Sequence, residues 1–319
     1  MGADGSHSAW RWIGRFLSLC GLLFVAWRAW SLRTDLAQAL AGPGVRTAFI
    51  LAIGVFLLDN VILASIWGGL LRVCGATKFA MRTTLWLYAQ TQIAKYLPGN
   101  IMHFAGRHAA ARSRGVAHAP LAAAAMMEFG GLIAAAGGVA LIGLSLSAGD
   151  GQRTVMVRLA VISLIVLLGL SALICLVPRT AVFRRLGGGV LVPIVVARGL
   201  SVAILGYVVF FLIGGMSCIL LANALSGDGF HGSGSILFAY AVSWIMGFIT
   251  PGAPGGLGVR EAALSGLLTA QLGAAPAVLA ALLFRGVTVG ADVLFYAGSF
   301  VWTPMNERRN LPCEERLGL

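Results

Sequence analysis

The stretch Thr250-Pro251-Gly252-Ala253-Pro254-Gly255-Gly256-Leu257-Gly258-Val259-Arg260-Glu261 interrupts an apolar run over residues 235–271. A second break, Tyr96-Leu97-Pro98-Gly99-Asn100, interrupts residues 83–112. Proline removes a backbone donor and glycine permits tight turning, so each region reads as two helical arms around a break. An arm of about 12–16 residues is roughly 18–24 Å of helix, too short to cross a hydrocarbon core of about 30 Å comfortably. Backbone at membrane depth must be covered by protein or line a wet cavity. Both breaks are therefore expected to border one.

The membrane premise follows from composition. Of 319 residues, 59% are hydrophobic and 11% charged, and mean hydropathy is +0.90, against about 45–50% apolar content in a soluble domain. The sequence reads as a single integral membrane domain over residues 1–319. It has no polar stretch of the ~50 residues that an independent soluble catalytic domain needs. The formal charge of +12 is assigned to basic residues that hold loops at the cytoplasmic face, and not to nucleic-acid binding. Cys20, Cys74, Cys175, Cys218 and Cys313 form no C-x-x-C pair, which argues against a zinc site or a disulfide framework. His103, His108 and His118 lack the i, i+4 spacing of a helical metal pair, so no metal and no cofactor is expected.

Apolar runs predict six full crossings, at about 11–31, 45–71, 119–147, 155–177, 191–222 and 275–302. The first resembles a secretory signal but has no A-x-A-like cleavage site, and is read as an uncleaved helix anchored by Arg28 and Trp30. Charge then decides how the broken regions lie. With both regions re-entrant and the N-terminus inside, 14 of the 23 Lys and Arg residues fall in cytoplasmic segments and 6 outside, leaving Lys95, Arg198 and Arg285 at depth. Making the broken regions crossings would put Arg107, Arg112 and Arg114 outside, against the positive-inside rule. The expected topology is multi-pass, with both termini cytoplasmic.

The broken regions also resemble each other. A shift of 153 pairs Pro98 with Pro251, Gly99 with Gly252, Arg107 with Arg260, Ala109 with Ala262 and Ala110 with Ala263. The flanking runs follow at similar offsets, giving repeat units of approximately 45–147 and 191–302 that enter from opposite faces. Such inverted repeats with Gly/Pro-interrupted segments are an architecture of secondary transporters. The fold expected is an all-α polytopic membrane protein of six helices plus two re-entrant broken-helix hairpins.

Ionisable residues at depth are expensive and mark function by default. Lys95, Arg107, Arg198, Arg260 and Arg285 are candidates for binding a lipid headgroup, and Asp59, Glu128, Glu261 and Asp292 for balancing charge or carrying protons. The breaks themselves comprise Pro98, Gly99, Pro251, Gly252, Pro254, Gly255, Gly256 and Gly258, and the helix starting near Val259 offers free N–H groups to an anion. The competing reading is internal ion pairing, for example Arg260 with Glu261, that only fixes helix packing. The Gly-rich run lacks the G-K-[ST] ending of a nucleotide loop. Gly286-x-x-x-Gly290 suits close helix packing. No catalytic triad or Cys-His pair can be assembled from one contiguous segment.

Pro254-Gly255-Gly256-x-Gly258-x-Arg260-Glu261, preceded by Lys95-Tyr96-Leu97-Pro98-Gly99 and Gly106-Arg107, resembles the lysylphosphatidylglycerol synthase transmembrane region, a flippase-like family. The resemblance covers about residues 11–302. It implies a bacterial or archaeal inner-membrane protein related to the lipid-translocating half of multiple peptide resistance factors. It further implies that Lys95, Pro98, Gly99 and Arg107 in the first hairpin, and Pro254, Gly255, Gly256, Gly258, Arg260 and Glu261 in the second, are the residues of the family motif. The function expected is translocation of an anionic, aminoacylated or polyprenyl-linked lipid without chemical change, with membrane lipids as partners and no enzymatic activity. The alternatives are the membrane component of an aminoacyl-phosphatidylglycerol synthase system, partnered by a separately encoded lipid-modifying enzyme, and a non-transporting scaffold.

Overall fold

The computed structural model describes residues 30–76, 80–97, 102–147, 193–226, 232–250 and 253–301, together with Leu23 and Trp27. Two of the six expected crossings, 11–31 for almost all its length and 155–177 entirely, lie outside the described residues, as do Pro98, Gly99, Pro251 and Gly252. Every element among the described residues is helical.

A short α1 (Arg33–Ala41) precedes α2 (Pro43–Val73), which starts with Pro43 in its first turn, where the missing N–H costs nothing. Helix α3 (Met81–Gln92) tightens into a 3-10 turn at Ile93–Tyr96, and α4 (Met102–Arg112) follows the first break. After α5 (His118–Ser147) come α6 (Pro193–Ser226) and α7 (Ser233–Ile249). A 3-10 turn at Pro254–Gly256 leads into α8 (Val259–Leu272), and α9 (Ala274–Val301) closes the described chain. Four helices, at Pro43–Val73, His118–Ser147, Arg198–Ser226 and Ala274–Val301, are long and apolar enough to cross a membrane. They coincide with four of the runs read from the sequence. The architecture is that of an all-α membrane protein.

The arms of the broken regions are short, at 12 and 11 residues in α3 and α4 and 17 and 14 in α7 and α8. Their packing has a regularity. Exchanging α2 with α6, α3 with α7, α4 with α8 and α5 with α9 turns the main helix contacts into one another. Thus α2 packs on α9 as α6 packs on α5, and α3 touches α9 as α7 touches α5. Helices α2 and α6 meet each other, and so do the two 3-10 turns that end the broken segments.

Apolar side chains gain little by leaving lipid for one another, so close packing of small residues has to hold such helices together. Gly143 of α5 and Gly234 of α7 cross so closely that a Cβ on either would lie 2.7 Å from the other's carbonyl oxygen. Gly286 and Gly290 of α9 face Phe49 and Ile53 of α2, where added methyls would meet side-chain carbons at 3.2 and 3.5 Å. That is the packing role expected of the pair. Between the helices an aromatic core includes Phe56 edge-on to both Phe210 and Phe284, and Phe211 edge-on to Trp244.

Candidate functional site

The 3-10 turns beside the two breaks converge on one cavity of about 80 Å³ with charged groups set among apolar and aromatic side chains. Its walls include Lys95 and Tyr96 from the first 3-10 turn, Gly255 from the second, Arg260 from α8, Arg285 from α9 and Glu128 from α5. The tips touch directly. A Cβ on Gly255 would lie 3.3 Å from the Tyr96 ring, and Gly255, Gly256 and Gly258 hold φ of 55°, 73° and 81°. Only glycine takes that left-handed region without strain. At Gly256 a Cβ would also press to 3.1 Å on the Gly247 backbone of α7. The Gly-rich run is therefore required by the shape of the tip, and that shape brings Arg260 and Glu261 to the start of α8.

Three ion pairs surround the cavity, and they are assembled from both halves. Lys95 Nζ lies 2.6 Å from Asp292 Oδ2, and Asp292 also accepts from the Tyr96 hydroxyl and from Asn60 Nδ2 at 3.2 Å. Arg107 Nη2 donates to Glu128 Oε1 at 3.0 Å, both residues being 2% exposed. The Arg107 guanidinium stands over Tyr88, Phe104 and Trp67, 4.2, 4.9 and 5.2 Å from their centroids. The third pair joins Arg285 Nε and Glu261 Oε1 at 3.3 Å, while Arg285 Nη1 donates to the Gly255 carbonyl at 3.1 Å. Glu261 Oε2 in turn accepts from the Gly258 N–H at 2.6 Å, capping α8.

Arg260 differs from the other three cations. It lines the cavity, stands over Trp244 at 5.6 Å, and pairs with no carboxylate among the described residues. The alternative expectation that Glu261 neutralises Arg260 is corrected: Glu261 is taken by Arg285 and by its own helix cap. The buried Arg260 Nε has no acceptor, and neither does Arg285 Nη2. Two guanidinium groups beside a cavity, of which only Arg285 is paired with a carboxylate and which are close enough to repel each other, form an arrangement that an anion completes.

Not every expected residue comes to this place. Arg198 is exposed on α6 and is not part of the cavity wall. Arg107 is spent on Glu128 inside its aromatic box and does not line the cavity. Asp59 is fully buried on α2 with no partner for either oxygen. Sequence reasoning missed Asn60, Tyr96 and Trp244, which bind or cover the charged groups. Tyr96 heads the first break, and its place there was a usable signal. It also missed that His108 Nε2 and His118 Nδ1, ten residues apart on α4 and α5, meet at 3.0 Å with stacked rings. A comparison of the chain with family models, with curated proteins and with solved structures finds no match.

Proposed function

We propose that this protein is a lipid flippase-like transporter of the cytoplasmic membrane, moving a lipid with an anionic headgroup between leaflets without chemical change. In this reading the chain has six crossings and two re-entrant hairpins in an inverted repeat, with both termini cytoplasmic. The resemblance to the lysylphosphatidylglycerol synthase transmembrane region stands with it, as the lipid-moving and not the synthetic half of such a system.

The observation that carries the reading is the cavity at the touching tips, lined by an arginine that pairs with no carboxylate among the described residues. Buried charge is costly at membrane depth and is normally paired. Three of the four cations obey that rule, and the exception, which has no counter-ion among the described residues, is suited to one supplied by a headgroup. Tips that enter from opposite faces meet at mid-depth, where a headgroup has to pass. Inverted repeats can alternate between two related conformations, each opening one side, and the exchange pattern of the helix contacts is in keeping with that mode. Acyl chains stay in lipid while the headgroup crosses between the tips.

The test is leaflet-resolved transport of fluorescent phospholipid in proteoliposomes. Protein-dependent movement is expected, lost in Arg260→Ala at unchanged thermal stability. Movement no faster than in protein-free vesicles overturns the reading. Lipid analysis of a deletion strain tests it against the enzymatic alternative, because a missing synthase component changes which lipids exist and a missing transporter changes only their leaflet. The topology is tested separately: an external thiol label should reach a cysteine placed at Gly229 and fail to reach one at Gly188 or Gly115.

A further inference from the structure

We infer that the headgroup this cavity accepts is a single compact phosphate carrying no cationic amine, so that an aminoacylated lipid is excluded as cargo. The inference rests on the transporter reading and narrows it. Three properties of the site lead there.

The first is charge. Among the described residues Lys95, Arg107 and Arg285 are paired with Asp292, Glu128 and Glu261, and Arg260 is left with no carboxylate of its own. The surplus is positive. A phosphate with one negative charge neutralises it, whereas a headgroup that adds an ammonium brings in a charge for which no unpaired carboxylate is on the wall. Glu128 is the carboxylate that lines the cavity, and its partner Arg107 is 2% exposed and enclosed by aromatic rings. Glu128 cannot be withdrawn from Arg107 without leaving a buried, unpaired guanidinium.

The second is donor geometry. Arg285 lines the cavity and is 7% exposed, its Nη1 is fixed on the Gly255 carbonyl, and its buried Nη2 has no acceptor. Arg260 presents a guanidinium from the first turn of α8, where the helix dipole adds to the attraction for an anion. Two planar guanidinium forks suit the tetrahedral oxygens of one phosphate, and their mutual repulsion falls when it binds.

The third is size. The cavity is about 80 Å³, and one water needs about 10–15 Å³ of such volume. The space suits several waters or one phosphate. A phosphoglycerol bearing an esterified amino acid is far larger. The glycines that shape the tip, Gly255 and Gly256, already touch Tyr96 and the Gly247 backbone, so the tip has no slack on those sides.

The same chemistry is presented by a lipid phosphate and by free inorganic phosphate, and the experiment separates them. Detergent-purified full-length protein is titrated with sodium phosphate, short-chain phosphatidic acid, short-chain phosphatidylglycerol and its lysine ester. Binding is read by thermal shift and by Trp fluorescence, with Trp244 beside Arg260 as a reporter. Phosphatidic acid is expected to bind about tenfold or more tighter than the lysine ester, a difference of about 1.4 kcal/mol or more. In Arg260→Gln that preference should disappear while the ligand-free melting temperature stays unchanged. Arg285→Lys, which keeps the charge but loses the fork, should weaken phosphatidic acid by a similar factor. Equal or tighter binding of the lysine ester overturns the inference, and if phospholipid transport persists the wider reading survives. Inorganic phosphate binding as tightly as phosphatidic acid overturns the lipid source. Binding of none of the four overturns the phosphate site, and absence of phospholipid transport overturns the transporter reading itself.

Discussion

The two broken regions carry the same arginine in the same register, and the structure puts the two to opposite uses. Arg107 is the sixth residue of α4, 2% exposed, bonded to Glu128 and enclosed by Tyr88, Phe104 and Trp67. Arg260 is the second residue of α8, half-buried, on the cavity wall and without a carboxylate. The difference comes from the following helix in each half. In the first half α5 supplies Glu128. In the second, α9 supplies Arg285 and Asp292, and the nearest acid, Glu261, is taken by Arg285 and by the cap of α8. A repeated residue therefore keeps its place while its neighbours decide whether it is structural or available.

The largest effect that can test this contrast is on stability. Arg107→Ala leaves Glu128 buried beside an empty box, and removal of one partner of a buried pair costs about 3–5 kcal/mol. Thermal unfolding of the solubilised protein should show that loss, and the double change Arg107→Met with Glu128→Leu should recover most of it. Arg260→Ala removes a charge that has no ionic partner among the described residues, so the melting temperature should stay or rise. Equal destabilisation by the two single alanines would break the contrast.

The second test compares glycines in the two regions. Gly256 holds φ 73° against the Gly247 backbone, whereas Gly106 in α4 would bring a Cβ only to 3.6 Å from Thr91. Gly256→Ala should cost about 1–3 kcal/mol from its left-handed backbone, and more where the clash with Gly247 cannot relax. Gly106→Ala should be neutral or slightly stabilising, because alanine is the better helix former. Equal melting temperatures for the two variants would show that the second tip tolerates a side chain, and the cavity's shape would then not depend on its glycines.

How much of this was legible in the sequence can be stated residue by residue. The breaks, the short arms and four apolar helices were readable because Pro, Gly and long apolar runs act locally. The packing of Gly286 and Gly290 was readable for the same reason, since small residues one turn apart have few other uses. The partners of the charges were not readable. Arg285 and Glu261 are 24 positions apart and meet through the packing of α9 on α8, whereas Lys95 and Asp292 lie in different halves and meet only because the two halves come together. Local spacing suggested Arg260 with Glu261, but the first turn of α8 turns Glu261 back onto its own cap at Gly258. Arg198 was grouped with the cavity on depth alone, and depth does not say which way a helix face points.

The third test concerns the acids. Asp292 holds Lys95 and receives Tyr96 and Asn60, whereas Asp59, one residue before Asn60, is buried with both oxygens unpartnered. An unpaired ionised carboxylate in such a place is costly. Asp59→Asn should therefore leave the melting temperature unchanged or raise it, while Asp292→Asn should lower it by leaving Lys95 without its counter-ion. If Asp59→Asn also leaves transport intact, the acid is not a proton carrier. If transport alone is lost, Asp59 is the one acid of the four whose use lies outside ion pairing.

The smallest expected effect lies at the end of the first broken region away from its tip. His108 Nε2 and His118 Nδ1 share a hydrogen bond at 3.0 Å, which requires one nitrogen to act as acceptor and is lost when both rings are charged. Burial, then His118 and then Arg112 hold the His108 pKa below its ordinary value. A folded-state pKa below the unfolded value, about 6.5 for histidine, means that the unfolded chain binds the proton more readily. The contribution to stability is therefore complete above about pH 6.5 and is lost as the pH falls from there through the folded-state pKa of His108. His118 is exposed and His108 only partly covered, so the loss should be small: a modest fall in melting temperature on acidification, absent in His108→Gln. The second hairpin has Glu261 at the position matching His108 and no such pair. An acid-induced fall that persists in His108→Gln would move the titrating group elsewhere and remove this last asymmetry between the two regions.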